Sequence, residues 1–484
     1  MGTGRRPGRH PGFLAPLRHR PAAVARLRAG AMSSPAPRAS SDPARHPLIA
    51  PREAGAVFAT RAGEPVSTER FMHDVHRIAA SLPAKGHILN FCSDRYRFAT
   101  VFCAAVMRGQ TTLLPPTTTP NVIAAMRAFA PDVYYVTDDG TKVDLPSVEL
   151  PQGAAPADTT MPPEIPGIAA GQVVACVFTS GSTGEPQPHF KTWGALAIDM
   201  RSEAKRFDVG PGHTILGTVP SQHMFGFEST VLLPLFSGAT LTAERLYYPA
   251  DIDAAIGRAA APRILFITPF HLRAWMASGD AARVETIVSA TAPLSVGLAR
   301  ETEERTRAQL YEIYGCTEAG QVATRRTALS AEWEAFDGLR VSSQGDQAFV
   351  AGGHVERPTR LMDIIEPLGD GSRFLLHGRI ADMVNIAGKR NSIGYLDHQL
   401  TSVPGVVDGA FFMPDEEEAD GVTRLMAFVV APTLTPAQII AELRTRIDAA
   451  FLPRPIVMLD RLPRQLTGKL PREQLTALAR AARN

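Results

Sequence analysis

At 484 residues the chain exceeds what one ordinary core organises, so two or more domains are expected. Its 45% hydrophobic content can fill them, and a net charge of +2 gives no general attraction to nucleic acid or an anionic membrane, so binding must come from a local site. No apolar run reaches the ~18 residues that span a bilayer. Cys92, Cys103, Cys176 and Cys316 are widely spaced with no CxxC pair, which suggests neither a disulfide frame nor a zinc site and fits a reducing cytoplasm.

Residues 1–31 hold seven arginines, no lysine and no acidic residue among many Ala, Pro and Gly, a composition that cannot build a core, so disorder is expected. An organellar transit peptide shares that composition. An upstream translation start, with Met32 opening the functional chain, is the plainer reading. After a Pro/Ser/Ala-rich lead to about residue 50, Ser67 predicts an N-cap for a helix with Phe71, Val75, Ile78 and Leu82 on one face.

Strands and helices then alternate. Residues 88–91 read as a strand, Asp94 caps a helix ending at Gly109, 111–114 is a second strand, and Pro120 opens a helix to Phe129 ahead of a strand at 133–136. Such alternation implies right-handed crossovers and a parallel sheet. Residues 137–170, rich in Pro, Ala and Gly, read as a surface connection. Further strands are expected at 214–219, 263–267, 284–289 and 310–314, with helices at 251–260 and 295–308. Ligands of such sheets gather at the carboxyl ends of strands.

Between an apolar strand at 173–178 and a stretch of helical composition from Lys191 onward lies Thr179-Ser180-Gly181-Ser182-Thr183-Gly184. Glycines let the backbone point N–H groups at a charged oxygen and hydroxyls add donors, so this is a candidate polyphosphate loop. A Walker A loop is disfavoured, because Pro186 stands five residues after Gly181 and no Lys-Thr pair follows. Alone, such a loop is as readily a Ser/Gly-rich surface turn.

The stretch is similar to the signature of the adenylate-forming superfamily, which comprises acyl-CoA synthetases, luciferases and the adenylation domains of peptide synthetases. Three more segments match in order: Tyr314-Gly315-Cys316-Thr317-Glu318, then Gly378-Arg379-Ile380-Ala381-Asp382 leading to Gly388, then Gly468-Lys469-Leu470-Pro471-Arg472. The resemblance covers roughly residues 50–484 and implies an α/β fold. A large N-terminal domain, 50–379, would hold mostly parallel sheets flanked by helices, and a small mobile α+β lid, 380–484, would follow; residues 1–49 form a leader.

The resemblance also implies roles. His223, in Pro220-Ser221-Gln222-His223-Met224-Phe225-Gly226, would lie beside the acyl carboxylate, although a lone histidine near apolar residues is more often a core residue. Ala290-Thr291-Ala292-Pro293 would make room for the adenine, with Tyr314 stacking on it; a plain strand-to-helix turn capped by Ser295 fits the same residues. Thr317 would donate to a phosphate oxygen and Glu318 would hold Mg2+. Asp363 and Arg379 would bind the ribose hydroxyls, a carboxylate accepting from both and a guanidinium donating in a fixed fork. Lys469 would stabilise charge developing between carboxylate and α-phosphate. The pantetheine arm of coenzyme A, or the phosphopantetheine of an acyl carrier protein, would enter near Gly388.

Two positions depart from the family pattern. Gln187 stands where lysine is usual, with Lys191 a possible substitute cation, and Ala381 stands where the hinge residue is usually charged. In the smaller domain, Thr435-Pro436 predicts a helix with Ile439, Leu443 and Ile447 on one face, beside a strand at 426–430. The expected reaction joins a small carboxylic acid to a thiol at the expense of ATP. The compact Pro188-His189-Phe190-Lys191-Thr192-Trp193 run resembles synthetases of aryl polyene and xanthomonadin pigment pathways, which would imply an aromatic acid; a short or medium fatty acid is the competitor. Monomer and homodimer both stay open.

Overall fold

The computed structural model describes residues 44–151, 164–180, 186–279, 281–345, 347–379, 383–386, 389–414, 424–465 and 470–483. Local signals act where they were expected. Ser67 caps the helix Thr68–Ser81, its side chain accepting from the Arg70 N–H, and Phe71, Val75 and Ile78 are buried. Asp94 caps Arg95–Met107 and Ser295 caps Val296–Thr306 in the same manner. Pro120 sits at the start of Pro120–Phe129, where a missing N–H costs nothing.

Two large sheets organise the N-terminal part. The first runs Tyr134–Val136, His87–Asn90, Thr111–Leu114, Val173–Ser180, Pro186–Thr192, parallel except for the last antiparallel pair. The second has eleven strands with a parallel centre that includes Thr214–Gly217, Arg263–Ile267, Thr286–Ser289 and Gln309–Cys316. Antiparallel strands extend both of its ends, among them Gly320–Arg325, Arg373–Arg379 and Asp363–Leu368 on one side. A parallel sheet was expected from the alternation; the added antiparallel strands make both sheets mixed.

Three local expectations need correction. The stretch after the candidate loop enters the edge strand Pro186–Thr192, not a helix, and the helix Trp193–Arg206 starts only after Thr192 caps it. Pro186 and Pro188 hid that strand, and an edge position is where a strand tolerates missing N–H groups. The lead to residue 50 contains the short strand Arg45–Pro47, which pairs with Gly167–Ala169, and Leu48 and Ile49 are fully buried. Ile447 lies beyond the helix Pro436–Leu443, although it is buried with that helix's apolar face.

Residues after 383 bury a core of their own. Leu396, Leu400, Phe411, Val429, Ile439 and Leu443 pack on one side of the sheet Asp408–Phe412, Met426–Val430, Ile456–Met458, while Phe412, Phe428, Leu462 and Leu475 pack on the other. Asp408 accepts two hydrogen bonds from Arg464, at 2.7 and 2.8 Å, and lies 4.0 Å from Arg273 of the helix Pro269–Ala277 in the larger part.

Gly378 stands where the second sheet gives way to these residues. Its φ is +119°, and a Cβ there would fall 2.1 Å from the Ser392 hydroxyl, which donates to His377 O and caps Ile393–Thr401. Gly378→Ala must therefore displace a buried cap as well as strain the backbone. The expected result is a loss of more than about 1 kcal/mol in thermal unfolding, with faster proteolysis after residue 378; an unchanged melt and cleavage pattern would contradict this packing.

Candidate functional site

The candidate loop joins the two strands of a hairpin whose register pairs Thr179 with Gln187 and Ser180 with Pro186. Gly181, Ser182, Thr183 and Gly184 themselves lie outside the described residues, as do Gly388 and Lys469. The hairpin aims its polar face at the turn that follows Tyr314. Thr179 Oγ1 is 3.0 Å from His189 Nε2, which is 3.9 Å from Glu318 Oε1, and Lys191 Nζ donates to Thr317 O at 2.7 Å. Thr179, His189 and Lys191 thus share one surface with Thr317 and Glu318, distant in the chain. Burial lowers the His189 pKa, with Lys191 adding and Glu318 opposing.

Tyr314 begins the turn. Its hydroxyl donates to Asp363 Oδ2 at 2.7 Å, and the ladder places Asp363 directly opposite Arg379. Tyr314 also meets Trp333 and Phe374 edge-on, each with ring centroids 5.8 Å away. The aromatic ring expected near the adenine therefore also orients the carboxylate expected near the ribose. A bulge between Tyr314 and Gly315 redirects the strand, and Gly315 has no room for a side chain because a Cβ would meet Gly320 O at 2.6 Å.

Ala290, Thr291, Ala292 and Pro293 follow the carboxyl end of Thr286–Ser289. Thr291 has φ +80°, a genuine outlier for a β-branched residue, and such strain concentrates at functional loops. Leu294 N–H, donating to Glu312 Oε1 at 3.1 Å, ties the loop's end to the next strand. His223 precedes the short helix Met224–Gly226 beyond Thr214–Gly217, and Gln222 Nε2 anchors that segment to Cys92 O at 2.8 Å. Gly226 is required by close approach, since a Cβ would lie 2.1 Å from Pro220 O.

Beneath the turn lies a polar cluster that the sequence reading did not single out. Asp199 and Glu203 occupy the core stripe of Trp193–Arg206 with Leu196 and Met200, at the i, i+3, i+4, i+7 positions that normally hold apolar residues. Glu228 joins them from the π-helical turn Phe227–Leu232, and His354 from the turn before Val355–Leu361. All four are nearly inaccessible. Carboxylates at core-stripe spacing, and an acid following Phe-Gly-Phe in an apolar run, were the signals available.

Burial pushes Asp199 and Glu228 well above the carboxylate range; repulsion from Glu203 adds to it at Asp199 and repulsion from Asp199 adds to it at Glu228, while the nearby Lys191 ammonium opposes both. The two carboxyls interact through a hydrogen bond, which requires a proton between them. Burial also pushes Glu203 up to about 8, against hydrogen bonds from Ser229 and Gln321. His354 is held neutral, its pKa lowered to about 4 chiefly by burial, and its Nε2–H donates to Ala319 O at 3.0 Å.

A mixed α/β body in which His189 and Lys191 of one hairpin meet a Tyr-Gly-x-Thr-Glu turn is the arrangement of a nucleotide-using, adenylate-forming class. The sequence family described as AMP-binding enzyme matches residues 17–345, and the chain belongs to it. The chain is similar to a 4-coumarate–CoA ligase of Rhodobacter capsulatus, 32% identical over 289 residues, covering 58% of this chain and 70% of the relative. It is also similar to a 3-hydroxybenzoate–CoA/4-hydroxybenzoate–CoA ligase of Thauera aromatica, 23% identical over 363 residues, covering 65% and 68%. Its fold matches the crystal structure of ATP-bound MatB from Rhodopseudomonas palustris with TM-score 0.74 at 19% identity, over 89% of this chain and 97% of that one.

Glu203 gives the site a signature in pH. Its folded-state pKa, about 8, lies above its ordinary 4.5, so its contribution to stability is full below about 4.5 and is lost as pH rises through about 8. Glu203→Gln should flatten the fall of melting temperature over that window. Identical pH slopes for variant and wild type would show that Glu203 titrates normally.

Proposed function

We propose that the protein is an ATP-dependent carboxylic acid–thiol ligase that forms an acyl-adenylate and passes the acyl group to a thiol. The observation that carries this reading is the meeting of His189 and Lys191 with Glu318 and Thr317, with Thr179 against His189, next to the Tyr314–Asp363 pair opposite Arg379. A carboxylate is a poor electrophile, whereas its mixed anhydride with AMP has a good leaving group. The hairpin and the turn would hold the polyphosphate between them, so that the α-phosphate faces an acid bound near His223.

Thr317 would donate to a phosphate oxygen, and Asp363, held by Tyr314, would accept from the ribose. The Glu318 side chain is 37% exposed and offers one hard oxygen donor at the phosphate end, which suits Mg2+. Mg2+ held there would neutralise charge on the departing pyrophosphate. Lys469 would stabilise the negative charge that builds between acid and α-phosphate, and the C-terminal part, residues 380–484 with its separate core, would then turn to admit the pantetheine arm near Gly388.

For the acid, the reading is an aromatic, hydroxybenzoate-like carboxylate. The similarity to 4-coumarate and hydroxybenzoate ligases supports it, and the resemblance of the Pro188–Trp193 run to pigment-pathway synthetases points the same way. The thiol is coenzyme A, or an acyl carrier protein if the pigment resemblance extends to the acceptor. Among the described residues no helix is long and apolar enough to cross a membrane, and all four cysteines are free thiols, which suits a reducing cytoplasm. A second reading, a nucleotide-binding relative without turnover, is favoured by Gln187, the exposed partner of Thr179 at the mouth of the hairpin.

The test is pyrophosphate release with ATP, Mg2+ and a panel of benzoates, cinnamates and C4–C12 fatty acids, then product mass spectrometry with coenzyme A or a carrier protein. Aromatic acids should be turned over best; ATP binding with no release from any acid would select the second reading. Lys469→Ala should slow adenylate formation by about 10²- to 10³-fold while supplied acyl-adenylate is still converted to thioester. Equal loss in both half-reactions would remove Lys469 from the assigned role.

A further inference from the structure

Lys191 links the functional turn to the buried acids: it bonds the one directly and acts on the others through its charge. In the strand Pro186–Thr192, alternation puts Gln187, His189 and Lys191 on one face, and along that face the chain goes inward. Gln187 is exposed, the His189 side chain is 20% exposed and Lys191 is 8% exposed. Four residues of strand span about 13 Å. An ammonium at Lys191 is thus set well back from the mouth of the hairpin, where a cation at position 187 would meet the phosphates.

What Lys191 does reach is specific. Its Nζ donates to Thr317 O at 2.7 Å, and its charge acts on Asp199 and Glu228. The same backbone is held at two further points: His354 donates to Ala319 O at 3.0 Å, and Gln321 N–H hydrogen-bonds the Asp199 carboxyl. Residues 317, 319 and 321 are therefore tied in turn by side chains from three separate elements. Gly320 fits between them only because it lacks a side chain, since its Cβ would lie 3.0 Å from Asp199 Oδ2, 3.3 Å from Glu228 Oε1 and 3.3 Å from His354 Nε2.

We propose that Lys191 is a positioning residue which, with Asp199 and His354, clamps the backbone of residues 317–321 from below and so sets the placement of Thr317 and Glu318. It does not replace the cation missing at Gln187. The clamp rests on the adenylating reading only for its kinetic consequence; the mechanical statement stands independently of the acid used. Because Lys191 lies on the return strand of the phosphate hairpin, it also fixes the distance between loop and turn.

The experiment compares wild type with Lys191→Met and with the double variant Lys191→Met/Asp199→Asn, which leaves no unbalanced carboxylate if the single variant folds poorly. Hydrogen–deuterium exchange should speed up about tenfold or more in the 317–321 amides, with the strand Arg263–Ile267 unchanged. Calorimetric affinity for ATP with Mg2+ should stay within about threefold of wild type. In pyrophosphate release with 4-hydroxybenzoate as probe, kcat should fall on the order of 10²-fold with the KM for ATP nearly constant.

An order-of-magnitude loss of ATP affinity with unchanged exchange would make Lys191 a phosphate ligand and overturn the proposal. Loss of a cooperative melt in both variants would equally overturn it, since the cluster would then hold the whole fold and not the turn. A wild-type enzyme that releases no pyrophosphate would count against the functional reading alone, because exchange and calorimetry still report on the clamp.

Discussion

Three hydrogen bonds onto one stretch of backbone hold the candidate site together: Lys191 on Thr317 O, His354 on Ala319 O, and Gln321 N–H on Asp199. The hairpin of residues 173–192 and the turn after Tyr314 belong to different sheets, so it is the Lys191 bond, with the His189–Glu318 approach, that relates one to the other. Rigid placement of this kind matters in a reaction whose groups must align on a phosphorus centre, where small displacements are costly.

The clamp is made of groups that are expensive to bury. An ammonium and three carboxyls in an apolar interior would be prohibitive if all were charged. The arrangement lessens that: burial pushes Asp199 and Glu228 toward their neutral forms, Glu203 is pushed up to about 8, and His354 is held neutral, so the Lys191 ammonium does not face three full negative charges. Ser229 and Gln321 support Glu203 further in, at 2.8 Å between Ser229 Oγ and Glu203 Oε1 and 3.3 Å between Gln321 Nε2 and Ser229 Oγ. Among the described residues, Asp199 Oδ1, Glu203 Oε2, Glu228 Oε1, Gln321 Oε1 and His354 Nδ1 are buried without a hydrogen-bond partner, so the cluster is only partly satisfied and is costly to hold.

Much of this was legible in the residues, and the boundary of legibility has physical causes. Strands 111–114, 263–267 and 426–430 and the helix from Pro120 follow from periodicity and capping, because nothing distant competes with those signals. The strand Pro186–Thr192 was hidden by prolines that only an edge position permits, and Arg45–Pro47 by its three-residue length. Of the site, the motifs located the Thr179 strand end and the Tyr314–Glu318 turn. They could not show that Tyr314 serves Asp363 or that Lys191 points away from the hairpin's mouth, since both are facts of packing between segments far apart in the chain. Asp199, Glu203 and Glu228 are written in plain view at core-facing positions, yet a carboxylate there reads as an error in the pattern until its partners are known.

Asp408 has two arginines of unequal allegiance. Arg464 is bound to it in a two-point grip and belongs to the same small core, whereas Arg273 reaches it at 4.0 Å from across the junction. If the C-terminal part swings away, Asp408 leaves with its own counter-ion, and only Arg273, whose pKa desolvation depresses, must find water instead. The electrostatic toll of such a parting would therefore fall on one side of the junction, and the C-terminal part would stay internally neutral at that point.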